Sequence, residues 1–182
     1  MGAFNSGLDE DMPEYDTIIT EGLKLFEQLF GYKSESFIAT TYTWNPKIEP
    51  ILARNGVKYL QGMVHQHIPI DDDKTFTYKK TNFTGRKSPS GLTYVTRNAY
   101  FEPSQYDNDW VGDCLNRVRI AFLWHKPAVI SMHRLNVIGN IDEENRTRNL
   151  KLLKRLLIEI TFRYPDVEFL STDQLGHIID ES

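Results

Sequence analysis

Residues 126–136, KPAVISMHRLN, decide how the chain is read: an apolar run that ends abruptly in an imidazole, a guanidinium and a carboxamide. Pro127 can open a strand but not sit inside one. Ala128, Val129 and Ile130 then form a short apolar segment of the kind buried on both faces of a sheet. Polar groups follow at once in Ser131, His133, Arg134 and Asn136. In parallel α/β folds the carboxyl ends of strands converge on the functional site, so this stretch predicts a strand that delivers His133 to such an end. The competing reading, a His held by a neighbouring carbonyl for structural reasons, is about equally consistent with the sequence.

On either side, helical and strand patterns alternate. Ile18, Ile19, Leu23, Phe26, Leu29 and Phe30 recur at helical spacing and stop at Gly31. Residues 36–40 are β-prone, Asn45-Pro46 opens a helix to about Asn55, and residues 57–61 give the next strand. A helix runs from about Asn108 to Trp124, and Asp142 caps another that reaches about Tyr164 with Leu150, Leu153, Leu157 and Ile160 on its core face. A strand at 167–171 and a final helix capped by Ser171 or Thr172 complete the order. Short connections between alternating strands and helices imply a parallel sheet, with the strands at 36–40, 57–61, 127–132 and 167–171 in one curved sheet. Residues 61–106 break the regularity and read as one long loop or hairpin insertion, with a possible hairpin through Thr75 to Lys80.

The chain of 182 residues is read as a single α/β domain, and 40% hydrophobic with 12% aromatic content is globular composition. A formal charge of −4, with no basic run longer than two residues, argues against nucleic acid as the main partner. No apolar stretch approaches the roughly twenty residues of a membrane span, and the amino terminus lacks signal-peptide regions, so a soluble, cytoplasmic chain is expected. Cys114 is the only cysteine and reads as a buried, inert thiol.

Glu102, in Arg97-Asn98-Ala99-Tyr100-Phe101-Glu102-Pro103, is the strongest carboxylate candidate, because a Glu among aromatics is partly desolvated and suited to acid-base work. The alternative is an Arg97–Glu102 ion pair that holds the loop. Tyr42, Trp44 and Tyr100 are candidate faces for sugar stacking, although core packing is as ordinary for them. Arg97, Asn98 and Asn136 are candidate substrate contacts. His65 and His67 are a weak metal-binding pair without a convincing third ligand, and Asp71–Asp73 reads as a solvated turn rather than a calcium loop.

The stretches SFIATTYTW, GVKYLQG, RNAYFEPS, KPAVISMHRLN and YPDVEFLSTDQL together resemble the polysaccharide deacetylase superfamily, most closely the carboxyl-terminal half of its bacterial polysaccharide (de)acetylase-like members. The resemblance spans about residues 31–175. It implies a partial (β/α) barrel and metal-assisted removal of acetyl groups from a glycan, with His133 as the general acid and Arg134 and Glu102 beside it. It also implies a divalent metal, yet the family's paired aspartates and spaced histidines have no match in residues 1–35. The chain therefore reads as the carboxyl-terminal part of a barrel, in want of an amino-terminal segment or prone to self-association. Two further function classes stay open: a glycosidase on a similar barrel, using carboxylates such as Glu102 and Asp109, and a non-catalytic glycan-binding half-barrel.

Overall fold

The computed structural model describes residues 4, 9–69, 76–105, 107–140 and 142–182, with the side chains of residues 9 and 76–79 left aside. The chain divides into two compact units, residues 1–96 with 170–182, and residues 97–169. The elements are mixed α/β with parallel strands, and among the described residues no sheet closes into a barrel.

The first unit is built on a three-stranded parallel sheet in the order β1 (Ser36–Ile38), β2 (Tyr59–Gly62), β5 (Thr93–Thr96). Helix α1 (Met12–Phe30) precedes β1 and ends at Gly31, whose φ of 77° is the left-handed cap that glycine adopts without strain. Asn45 caps the turn at Pro46–Ile48 that leads into α2 (Glu49–Arg54). Between β2 and β5 the chain inserts an antiparallel hairpin, β3 (His65–Pro69) with β4 (Phe76–Thr81). The hairpin expected through Thr75 to Lys80 is therefore displaced: residues 76–81 form one arm only, and its partner is β3, because Pro69 and the acidic run divide the two arms in sequence; residues 70–75, with Asp71–Asp73, lie outside the described residues.

Helix α5 (Thr172–Glu181) starts from a full capping box, in which Ser171 and Gln174 satisfy each other's backbone N–H groups. It packs on the sheet through Gly176, where an added Cβ would run into the Tyr59 ring. Two further ties hold it. His177 Nε2 lies 2.7 Å from Glu35 Oε2, and Lys87 Nζ and Thr93 Oγ1 reach Asp180 Oδ1 at 2.6 and 2.8 Å. The Lys58 ammonium beside Glu35 holds that carboxyl below its usual range.

The second unit pairs β6 (Ala99–Tyr100) with β7 (Ile130–Ser131) in parallel, joined through α3 (Trp110–Leu123), and adds α4 (Glu143–Arg163). Its core gathers Phe101, Val111, Leu115, Val118, Leu156 and Ile160. Cys114 is fully buried there, and burial pushes its thiol up to about 11.

Three details differ from the sequence reading. The strand at 127–132 is short and pairs with β6 rather than with β1 and β2. Residues 167–171 form no strand, because β propensity without a partner edge makes no ladder. In α4 the inward positions are Asn149, Leu156 and Ile160, while Leu150 and Leu157 are 44% and 39% exposed. Leu153 and Ile160 pack against the core of this unit as expected, whereas Leu150 and Leu157 turn outward and the buried Asn149, a polar side chain with bonds to make, takes an inward position beside them.

The close contact at Gly176 is testable by contrast with Gly22, a helical glycine with nothing within 4 Å of an added Cβ. Gly176→Ala is expected to lower stability by about 1–3 kcal/mol through overpacking. Gly22→Ala is expected to be neutral or to raise stability by about 0.5–1 kcal/mol. Thermal or urea unfolding of both variants measures the difference.

Candidate functional site

The parallel pairing of β6 and β7 brings two loops side by side at the carboxyl ends of the strands. Phe101 N–H donates to Ser131 O at 2.9 Å and extends the pairing one residue beyond β6. The functional residues follow directly, Glu102 one residue beyond Phe101 and His133 two beyond Ser131. Glu102 follows β6 and His133 follows β7, and the imidazole Nδ1 stands 2.7 Å from Glu102 Oε1.

Glu102 accepts hydrogen bonds at both oxygens. Oε1 also accepts the His133 backbone N–H at 3.2 Å, and Oε2 accepts Asn136 Nδ2 at 2.7 Å. The protein meets this carboxylate with donors at both oxygens, so the proton of the short contact belongs on Nδ1. The neutral His133 ring is thereby the Nδ1–H tautomer, with the Nε2 lone pair turned outward on a side chain that is 66% exposed. Glu102 itself is only 15% exposed.

Asn136 is 1% exposed. Its Nδ2 donates to Glu102 and to His133 O at 2.8 Å, while its Oδ1 accepts the Ser104 N–H at 2.9 Å. The carboxamide expected to touch substrate therefore ties the His133 loop to the Glu102 loop. Asn98 has a similar part: Oδ1 accepts the Val129 N–H at 2.7 Å and Nδ2 donates to Pro127 O at 2.9 Å, which stitches β6 to the segment before β7. Arg97 Nη1 donates to Ser131 Oγ at 3.0 Å, across the same pair of strands. The residue that breaks the apolar pattern of the strand is thus a buried hydroxyl with an arginine to satisfy. Arg134 is exposed, next to His133, and its guanidinium makes no side-chain bond among the described residues.

Of the expected site, the structure brings together Glu102, His133 and Asn136. Arg97 contacts Ser131 rather than pairing with Glu102. Asp109, the suggested second carboxylate, caps α3 by accepting the Gly112 N–H at 3.1 Å.

Tyr42 and Trp44 belong to the other unit. Trp44 is 1% exposed and donates Nε1 to Glu49 Oε1 at 3.3 Å, so its ring has no open face for a sugar. Thr41 and Tyr42 both adopt positive φ, 56° and 57°, a strained turn for residues with side chains. Glu49 went unremarked in the sequence. It is 1% exposed and also accepts the Tyr94 hydroxyl at 3.1 Å, while Lys80 Nζ reaches that hydroxyl at 2.7 Å. Burial, with Glu49 second, pushes the Tyr94 hydroxyl well above its ordinary range. No sequence signal marks Glu49, since acids in the first turn of a helix are ordinary.

His65 is exposed and His67 half-buried, both on β3. Among the described residues no group of three or more His, Cys, Asp or Glu is placed to hold a metal.

Comparison of sequences supplies the family. The profile of glycosyl hydrolase family 57 matches residues 11–102, from the start of α1 to the Glu102 carboxylate. The chain belongs to glycosyl hydrolase family 57. Neither a curated protein nor a solved structure gives a match. This finding corrects the resemblance to the polysaccharide deacetylase superfamily: short apolar strands ending in polar residues are common to many α/β hydrolase sites and do not separate one such family from another. No helix among the described residues is long and apolar enough to cross a membrane.

The cap role of Asp109 has a measurable consequence. Asp109→Ala is expected to cost about 1 kcal/mol of stability, as the loss of a helix cap does, and Asp109→Ser is expected to restore it. A loss of function in Asp109→Ser, with stability recovered, would show instead that the carboxylate itself is used.

Proposed function

We propose that this chain acts on glycans as a glycosidic-bond hydrolase of family 57, with the Glu102–His133 pair as its proton-transfer unit. The observation that carries the reading is the 2.7 Å contact of His133 Nδ1 with Glu102 at adjacent parallel strand ends, with the rest of the imidazole in solvent. Glu102 orients the ring and stabilises the imidazolium that forms when Nε2 takes a proton. Nε2 is then the working atom, accepting a proton from water or a sugar hydroxyl and returning it to the departing oxygen. Arg134, exposed on the same loop, contacts the sugar's oxygens. The parallel strands fit a barrel of the (β/α)7 type found in this family.

One observation favours a second reading, glycan binding without cleavage. Both oxygens of Glu102 already accept hydrogen bonds, and Asp109 is engaged at its helix. A two-carboxylate mechanism needs a second carboxylate about 5–9.5 Å away across the bond.

The experiment is turnover of α- and β-linked gluco-oligosaccharides by the wild-type chain, Glu102→Gln and His133→Ala. Either substitution is expected to lower product release by about 10²–10⁴-fold, the usual worth of a positioned acid-base group. Undiminished turnover in both variants would remove the pair from the chemistry. Binding without turnover in the wild type, lost in His133→Ala, would establish the second reading.

A further inference from the structure

We infer that Asn149 is a positioning residue for the Glu102–His133 pair, acting through Asn136. The inference rests on that pair being the working site. Asn149 lies in the second turn of α4 and is fully buried, a costly place for a carboxamide unless its atoms are matched. They are matched. Nδ2 stands 2.9 Å from Asn136 O, 3.0 Å from Ser104 Oγ and 2.9 Å from Asn145 Oδ1. Oδ1 accepts from Arg148 Nε and Nη2 at 3.1 and 3.0 Å. Arginine only donates, so these contacts fix which end of the amide is oxygen and leave the NH2 group facing both strand-end loops.

Those loops are the ones that carry the pair. Ser104 lies two residues beyond Glu102, and its N–H holds Asn136 Oδ1. Ser104 Oγ in turn reaches Asn145 Oδ1 at 3.0 Å, and Asn145 Nδ2 reaches Leu135 O at 3.3 Å. Arg148 Nη2 adds a bond to Pro103 O at 3.1 Å. One turn of α4 therefore grips residues 103–104 on one side and 135–136 on the other. Asn136 then presents its remaining N–H to Glu102 Oε2, which aims Oε1 at His133 Nδ1.

This chain of contacts gives the buried Asn149 its place on the inward side of α4. Had Leu150 and Leu157 faced inward, as hydrophobic spacing suggests, the loops would have met an apolar wall and Asn136 O would be unpaired. The helix instead places Asn149 inward, one turn ahead of Leu152 and Leu153, which pack against the apolar core of this unit, and two turns ahead of Leu156, which belongs to it. Its own side chain touches no part of the pair, so its effect on the imidazole is transmitted through Asn136.

The test reads the His133 ring nitrogens directly, by 15N spectra of the full chain at a pH where the ring is neutral, and needs no glycan. A failure here is thus separate from a failure of the hydrolase reading. The wild type is expected to show the Nδ1–H tautomer as the dominant form. Asn149→Ala is expected to lose that dominance and shift toward the Nε2–H mixture of an unrestrained imidazole. Ser104→Ala, which removes one link and leaves α4 intact, is expected to shift the same way by less, and covers the case in which Asn149→Ala does not fold. An unchanged tautomer in either variant, with amide exchange showing α4 still formed, would overturn the inference.

Discussion

The second unit depends on one constraint: the Glu102 carboxylate, mostly withdrawn from water, has to be surrounded by donors. A carboxylate in that position is tolerated only when hydrogen bonds replace its hydration. Three are supplied, all from the segment that follows β7, and they fix where that segment goes. Because His133 contributes both its backbone and its ring, satisfying the carboxylate with donors also sets the imidazole tautomer. The structural requirement and the chemical capacity are the same set of bonds.

Local signals in the sequence are the ones that the structure keeps. The helix starts at Asn45, Asp109, Asp142 and Ser171 are all made by side chains that accept the N–H two or three residues on, which is chemistry confined to one turn. Gly31 ends α1 for an equally local reason. Pairing between strands is read only in part: β1 and β2 lie side by side in parallel as expected, but their other neighbour is not foreseen. Thr93–Thr96 is buried along its whole length at the edge of the parallel sheet, yet it sits within a stretch so full of turn residues that its short β-branched and aromatic run does not stand out. Val167 to Leu170 has the composition of a strand but pairs with no strand among the described residues, and Phe169 is 57% exposed.

The candidate site was legible in outline through the end of the KPAVISMHRLN strand and the carboxylate of RNAYFEPS. What the sequence misassigned was the direction of the polar groups. Asn98 and Asn136 look like ligand contacts because they adjoin the site, but both are spent on the backbone and the carboxylate. A carboxamide carries donors and an acceptor on one short stem, and that makes it as good a stitch between strands as a contact for sugar. Asn149 was invisible for a related reason: it interrupts a leucine-rich face, where hydrophobic spacing assigns the neighbouring positions to the core. The deacetylase resemblance failed on the same ground, since it rested on where polar residues fall and not on what they bond.

The most direct measurement is chemical-shift mapping of the 15N-labelled chain titrated with α- and β-linked gluco-oligosaccharides. The account predicts saturable shifts that centre on Glu102, His133 and Arg134, with the His133 side-chain nitrogens among the most affected. Shifts confined to residues 1–96, or no shift at His133 at concentrations that saturate others, would contradict it.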